Sequence, residues 1–380
     1  MRTAIQVDKI SKQMCERLLS DLEHARRPVI KATKTTLDNT KYDHKVGYLT
    51  SLGKMVATEL NVSSVKKMSR AIFMLEIMLR NIEIGAVRTK RELYYISKGE
   101  TKGNSELKPL NFEDQDESDS TIDFICEMLE CYREDVNCFA NDRGGQTYSQ
   151  QLVVTETLPD GTKAEVDLST LGTTPFQPRN RPQSLKLRAK KKIEFCVIVE
   201  SEGTANTLQA GGFTKRNNAI LMGAQGVPSN AVRGWAKLIQ EELRVPMYFF
   251  GDLDAYTLQN IFRTLKAGSA ASLINNADFS APEVKFLGVL PSDIKKYDLN
   301  DYPVKEADVQ EARSLKKAVD ALGNDPFFKD KRNKGLAAIL HWLIENKRRC
   351  EQQAYFSVDS RDPEIAEKII IEKIRKGDFV

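Results

Sequence analysis

Histidine is scarce in this 380-residue chain, with only His24, His44 and His341. None lies near a Gly-x-Ser-x-Gly turn or a catalytic-cysteine signature, which argues against a hydrolase triad. The six cysteines (Cys15, Cys126, Cys131, Cys138, Cys196 and Cys350) are irregularly spaced and form no Cys-x-x-Cys. Neither a zinc ribbon nor a disulfide framework is indicated, and reduced, mostly buried thiols are expected. The chain also lacks a Gly-x-x-x-x-Gly-Lys-Ser/Thr phosphate loop and a Gly-x-Gly-x-x-Gly fingerprint. No apolar run approaches the roughly 20 residues needed to span a bilayer, and the first residues lack the apolar stretch of a signal peptide. An intracellular protein is therefore expected.

Hydrophobic residues make up 41% of the chain, enough for one large core or two ordinary ones, so two to three domains are expected. A net charge of +4 is too small to argue for nucleic-acid binding; only its distribution helps. Cations gather at Arg80, Arg88, Lys90 and Arg91, and again from Lys186 to Lys192, while Glu113 to Asp119 form an acidic loop. Solvated faces also explain such runs.

The run Thr89-Lys90-Arg91-Glu92-Leu93-Tyr94-Tyr95 begins with Thr-x-x-Glu, a capping box, so a helix is expected from about Lys90. Arg91 and Tyr95 then share a face, with Tyr94 turned roughly 100° away. Tyr94 is expected to pack inward and Tyr95 to point outward beside a guanidinium. Core plus surface is the plainer reading of any such tyrosine pair.

Residues 1 to about 28 read as a helix followed by a polar connector. Weak helical spacing runs from Val46 to about Glu59, and stronger spacing carries Val65, Met68, Ile72, Leu75, Met78 and Leu79. After a break at Ile84-Gly85-Ala86 comes the capped helix, giving a helix-turn-helix outline. A helix from about Ser120 to Arg133 follows, then Asn141 to Gly145. The Pro159-Asp160-Gly161 turn beyond it predicts a β-hairpin, read either as the wing of a winged-helix domain or as a plain hairpin. Residues 171–192, with three prolines and many cations, read as a basic linker.

Beyond the linker, FCVIVE, AILMG and PMYFF alternate with helices, which predicts a parallel α/β sheet with ligands beyond the carboxyl ends of its strands. KFLGV adds a strand, and helices are expected at about 305–322, 334–356 and 362–376. Glu200, Asp252 and Asp254 fall at strand ends. Such an oxygen-rich set suits Mg²⁺, which takes one or two protein carboxylates and keeps several waters. A phenol on a basic helix and carboxylates at strand ends are the parts of a DNA strand-cleaving site. Phosphoryl transfer needs an in-line nucleophile and cations to neutralise oxygen charge. Because a phenol has a reference pKa of about 10, a neighbouring cation such as Arg91 would stabilise its ionised form. The glycines of Gly223-Ala224-Gln225-Gly226-Val227-Pro228 could admit a phosphate, although an ordinary strand-to-helix turn explains them more readily.

The ordered motifs TKRELYY, VIVE, ILMGAQGVPSNAVRGW, PMYFFGDLDAYTLQNIF and FLGVLPSDIKKYDL resemble those of the A subunit of type IIB DNA topoisomerase VI and the related meiotic double-strand-break transesterases. The resemblance covers about Val46 to Ser357. It implies an α/β multidomain protein: an N-terminal helical extension (1–45), a winged-helix domain (46–170), the linker (171–192), a Toprim domain (193–357) and a C-terminal helix (358–380). It further implies Tyr95 as nucleophile, Arg91 beside it, Glu200, Asp252 and Asp254 as the Mg²⁺ site, and Arg88, Lys90 and Arg233 as DNA contacts.

The family works as a homodimer on double-stranded DNA, the tyrosine of one subunit meeting the metal site of the other, and pairs with a GHKL ATPase B subunit in a heterotetramer. Residues 1 to about 28 are the candidate for that contact, with a solvated tail or a dimer contact as the alternatives. Location would be cytoplasmic and nucleoid-associated in a prokaryote, nuclear in a eukaryote. The chain departs from the family pattern at Ser201 (usually lysine), Ser229 (usually aspartate), and Ala255 and Thr257 (usually proline and glycine), which suggests a divergent, even mobile-element-borne member. The expected activity is duplex cleavage through a covalent 5′-phosphotyrosyl intermediate, with relaxation or decatenation by a partnered enzyme. The alternatives are a stand-alone break-forming enzyme in recombination or element maintenance, and a non-catalytic winged-helix DNA-binding protein.

Overall fold

The computed structural model describes residues 4–139, 145–158, 161–177, 184–305 and 309–380. The chain divides into two compact units, one of residues 1–39 and 51–142, the other of residues 40–50 and 143–380. Among the described residues no helix is long and apolar enough to cross a membrane.

The first unit is mainly helical, with α1 (Ala4–Glu23), α2 (Val65–Glu83), α3 (Lys90–Thr101) and α4 (Gln115–Leu129). A two-stranded ribbon joins them, β1 (Val29–Thr33) pairing antiparallel with β2 (Met55–Glu59). Weak helical spacing over residues 46–59 and a polar connector after α1 are thus replaced by strands. The ribbon pairs Val29 with Glu59, a contact that local periodicity does not register.

Along α2, Met68, Leu75 and Met78 of the expected apolar stripe are buried with Ala71, Met74 and Ile77, whereas Val65 and Ile72 face solvent. Leu93, Ile122, Ile125 and Phe112 complete this core. The fourth helix starts earlier than its apolar pattern suggests, because Asp114 accepts the Glu117 N–H and caps it there.

The second unit is built on a five-stranded sheet. Its strands in chain order are β3 (Gln146–Ser149), β7 (Cys196–Val199), β8 (Ile220–Gly223), β9 (Met247–Phe250) and β10 (Lys285–Gly288); their spatial order is β10-β9-β7-β8-β3. All pairings are parallel except that of the edge strand β3 with β8. Helices α5 (Glu202–Ala210) and α6 (Phe213–Asn217) cross from β7 to β8, and α7 (Asn230–Leu243) from β8 to β9. β7 to β9 are continuous apolar runs, as strands covered on both faces require. Trp235, Phe249, Phe250, Phe262 and Phe286 fill the core.

The chain between β3 and β7 forms a second, antiparallel sheet. The strands β4 (Leu152–Thr157) and β5 (Lys163–Asp167) make the predicted hairpin, although Pro159 and Asp160 of its turn lie outside the described residues, as do Asn141 to Gly144. This hairpin belongs to the second unit, not to the helical unit that a wing would serve. β6 (Leu185–Ala189) pairs with β4 and lies within the expected linker, of which residues 178–183 are not described. Leu185 and Leu187, alternating with cations, supply the strand pattern that the charge obscured.

Towards the C-terminus, helices span Val309–Asn324, Lys334–Asn346 and Ile365–Lys376, with a tight 3₁₀ stretch at Gln352–Ser357. The expected long helix at 334–356 therefore stops at Asn346; residues 306–308, part of the expected helix at about 305–322, lie outside the described residues.

Candidate active site

In the first unit the capping box sets the start of α3. Glu92 N donates to Thr89 Oγ1 at 3.2 Å and Thr89 N to Glu92 Oε2 at 2.7 Å. With the first turn fixed, the rest of the face follows from helical spacing. Tyr94 is buried; its hydroxyl donates to Glu113 O at 3.4 Å and accepts from Lys98 Nζ at 2.9 Å. Tyr95 is 57% exposed. The Arg91 guanidinium carbon lies 5.9 Å from its ring centre.

The other basic residues here are less free. Lys90 is half-buried and pairs with Asp123 at 3.0 Å and Asp119 at 3.8 Å. Arg88 is also half-buried.

In the second unit Glu200, Asp252 and Asp254 lie just beyond the carboxyl ends of the adjacent strands β7 and β9. Glu200 Oε2 accepts from Asp252 N at 3.1 Å and from Thr257 Oγ1 at 2.9 Å. Asp254 Oδ1 accepts from Thr257 N at 2.7 Å, and Asp252 Oδ1 from Gln352 N at 2.8 Å. Gly251 makes this approach feasible, because a Cβ there would stand 2.6 Å from Glu200 Oε2. A π-helical stretch, Thr257–Phe262, follows at once and holds Thr257 over Glu200.

All three carboxyls are raised above their ordinary values. Burial does most of this at Glu200, raising it to about 8, with Asp252 and then Asp254 adding repulsion. Burial also leads at Asp252, where Asp254 adds to it, and at Asp254. Arg349 partly offsets both aspartates, but its guanidinium pairs with Glu311 at 3.3 Å and Glu351 at 3.1 Å.

Three half-buried carboxylates without an ion-pair partner among the described residues fit a bound cation, whose charge would relieve that repulsion. Among those residues no group of three or more His, Cys, Asp or Glu side chains is arranged to hold a metal ion as it stands. Carboxylate oxygens are nonetheless the donors a hard cation such as Mg²⁺ takes, one or two at a time with water completing its shell.

Two partners escaped sequence reasoning. Thr257 stands where the family pattern has glycine, and Gln352 acts through its backbone, about 100 residues from Asp252. Arg233, expected to contact DNA, is only 4% exposed and donates from Nε to Phe279 O at 2.9 Å. It lies on the face of α7 that buries Val232 and Ala236. Ser229 and Ser201, two of the other departures, cap α7 and α5.

The Toprim domain of the topoisomerase 6 A-subunit/Spo11 family matches residues 195–374, and the type IIB DNA topoisomerase family matches residues 66–138. A type 2 DNA topoisomerase 6 A-subunit from Methanocaldococcus jannaschii is 32% identical over 318 residues, covering 83% of this chain and 81% of the relative. The chain belongs to the topoisomerase 6 A-subunit family. Proteins of the same description from Pyrococcus horikoshii (27% identical; 95% of this chain, 92% of the relative) and Aeropyrum pernix (26%; 100% and 97%) match over nearly their whole lengths. The second unit contains the Toprim domain of this family, in which a divalent metal is generally used.

Proposed function

We propose that this chain is the DNA-cleaving subunit of a type IIB topoisomerase and cuts duplex DNA by tyrosine transesterification. The observation that carries this reading is Tyr95, exposed on a capped helix with Arg91 one turn away. Residues 46–170 are read as the winged-helix DNA-binding region, its helices in the first unit and its hairpin in the second, with α3 as the DNA-facing helix. Arg88 contacts the backbone, as does Lys90 once it exchanges its aspartate partners for phosphate.

The Tyr95 phenolate oxygen attacks the scissile phosphorus, forming a P–O bond to the tyrosine while the bond to the 3′ oxygen breaks. That oxygen leaves as a 3′ hydroxyl, taking up a proton. The 5′-phosphotyrosyl ester holds the energy of the broken phosphodiester, so attack by the 3′ hydroxyl, with release of the tyrosine, reseals the strand without ATP at that step. Arg91 stabilises the phenolate before attack and the phosphoryl oxygens during it. Glu200, Asp252 and Asp254 would hold Mg²⁺, and Thr257 and the Gln352 N–H orient those carboxylates. When bound, Mg²⁺ supplies charge neutralisation at the reacting oxygens.

The proposed assembly is a homodimer joined by a GHKL ATPase subunit for strand passage. Incubation of the full chain with supercoiled plasmid and Mg²⁺, in the absence and presence of that ATPase, followed by denaturation, should trap DNA bearing a 5′-linked protein. An adduct that persists in Tyr95→Phe would show that another residue is the nucleophile.

A further inference from the structure

The C-terminal helix Ile365–Lys376 carries a lysine with no exposure at all. Lys373 Nζ donates to both carboxylate oxygens of Asp293, at 2.7 and 2.8 Å, and Asp293 is equally inaccessible. The same carboxylate accepts the Tyr355 hydroxyl at 2.7 Å and Leu290 N at 2.7 Å. Three segments far apart in sequence thus meet at one carboxylate. A buried ion pair of this kind adds little stability compared with apolar side chains of similar volume, because desolvation offsets its attraction. What it does supply is a fixed geometry.

Tyr355 is the link to the candidate metal centre. It lies on the 3₁₀ stretch Gln352–Ser357, and its ring centre is 5.1 Å from that of Phe250, the last residue of β9. Three residues earlier, Gln352 N donates to Asp252 Oδ1. Two residues before that, Cys350 exchanges backbone hydrogen bonds with Leu253, between the two aspartates, at 2.8 and 3.2 Å. The segment 350–355 is therefore bonded to the Asp-x-Asp turn at one end and to the buried trio at the other.

We propose that Lys373, Asp293 and Tyr355 are positioning residues that hold the Gln352 N–H against Asp252, so the C-terminal helix sets the geometry of the cation site. This rests on the reading of Asp252 as a cation ligand. Groups that orient metal ligands from the outer shell typically govern affinity by about 10- to 100-fold when removed.

The test is Mg²⁺ binding to the full chain by calorimetry, with no DNA present, beside the thermal midpoint of each variant. Tyr355→Phe keeps the ring on Phe250 and removes only the hydroxyl; it should weaken Mg²⁺ binding by about tenfold. Ile239→Val, a buried change in α7 of the same unit, serves as the stability control and should bind like the parent. Lys373→Arg keeps the charge but moves it, and should weaken binding as well.

Parent-like affinity in both Tyr355→Phe and Lys373→Arg, with binding lost in Asp252→Asn, would overturn the positioning role and leave the cation site standing. Weakening that simply follows the thermal midpoint, Ile239→Val included, would overturn it too. Parent-like binding by Asp252→Asn would sink the cation-site reading itself and this inference with it.

Discussion

Arg91 and Tyr95 stand one helical turn apart on α3, the guanidinium carbon 5.9 Å from the phenol ring centre, and Tyr95 is open to solvent while Tyr94 is buried. The two tyrosines should therefore separate by function. Tyr95→Phe is expected to abolish the covalent DNA adduct. Tyr94→Phe should keep it and lose about 1 kcal/mol of stability, the usual net worth of a hydrogen bond. Arg91→Ala should slow cleavage by about 100-fold, in the range for losing one preorganised electrostatic partner. Single-turnover cleavage and thermal melts of the three variants check this; an adduct retained at full rate by Arg91→Ala would remove Arg91 from the chemistry.

Glu200 gives a pH dependence whose sign can be worked out. Burial and the neighbouring aspartates raise its folded value to about 8, above the 4.5 of a free glutamate. Between those values the folded state holds a proton that the unfolded chain has released, so cation-free protein loses stability as pH rises through that window. Glu200→Gln removes the penalty. In EDTA the variant should match the parent near pH 4, below both values, and be more stable by on the order of 2 kcal/mol near pH 8.5. Melting curves across that range test it, and a gain that did not grow with pH would contradict the assignment. Mg²⁺ should stabilise the parent more at the higher pH, because its carboxylate ligands must be deprotonated.

What the sequence reveals depends on how far each determinant reaches along the chain. The capping box at Thr89 and Glu92 is a three-residue relationship, and it located α3 directly. β7, β8 and β9 are short apolar runs, and the carboxylates at their ends follow from strand direction alone. The β1–β2 ribbon pairs Val29 with Glu59, and β6 finds β4 across a stretch that reads as basic linker. Neither pairing has a local signature. Gln352 reaches Asp252 through its backbone N–H, a contact that any non-proline side chain would permit. Motif resemblance carries the identity of Arg233, whereas the inward face of α7 decides where its guanidinium points.

Gly251 should tolerate no side chain. A Cβ would approach Glu200 Oε2 to 2.6 Å and the Phe249 ring to 2.5 Å. Glu200 would have to leave its bonds to Asp252 N and Thr257 Oγ1, or the strand end would have to move. Gly251→Ala is therefore expected to lose about 1–3 kcal/mol of stability, as overpacking of a tight site does, and to weaken Mg²⁺ binding. Calorimetric titration beside a thermal melt separates the two effects; unchanged Mg²⁺ affinity would show that Glu200 is not held there for the cation.

The proposed homodimer can be tested by mixing defects. If the tyrosine of one copy acts with the carboxylates of the other, a mixed dimer of Tyr95→Phe and Asp252→Asn contains one fully defective site and one intact site. If each copy acts with its own carboxylates, both sites are defective. Neither variant alone should form an adduct in either case. Co-expressed mixed dimers, purified through two different tags and incubated with supercoiled plasmid, should therefore give nicked circles with protein on one strand. Linear product should be absent, since only one strand is cut. Failure of the mixed dimer to nick, under conditions where the parent cleaves, would place each tyrosine with the carboxylates of its own chain, because only that arrangement leaves no intact site.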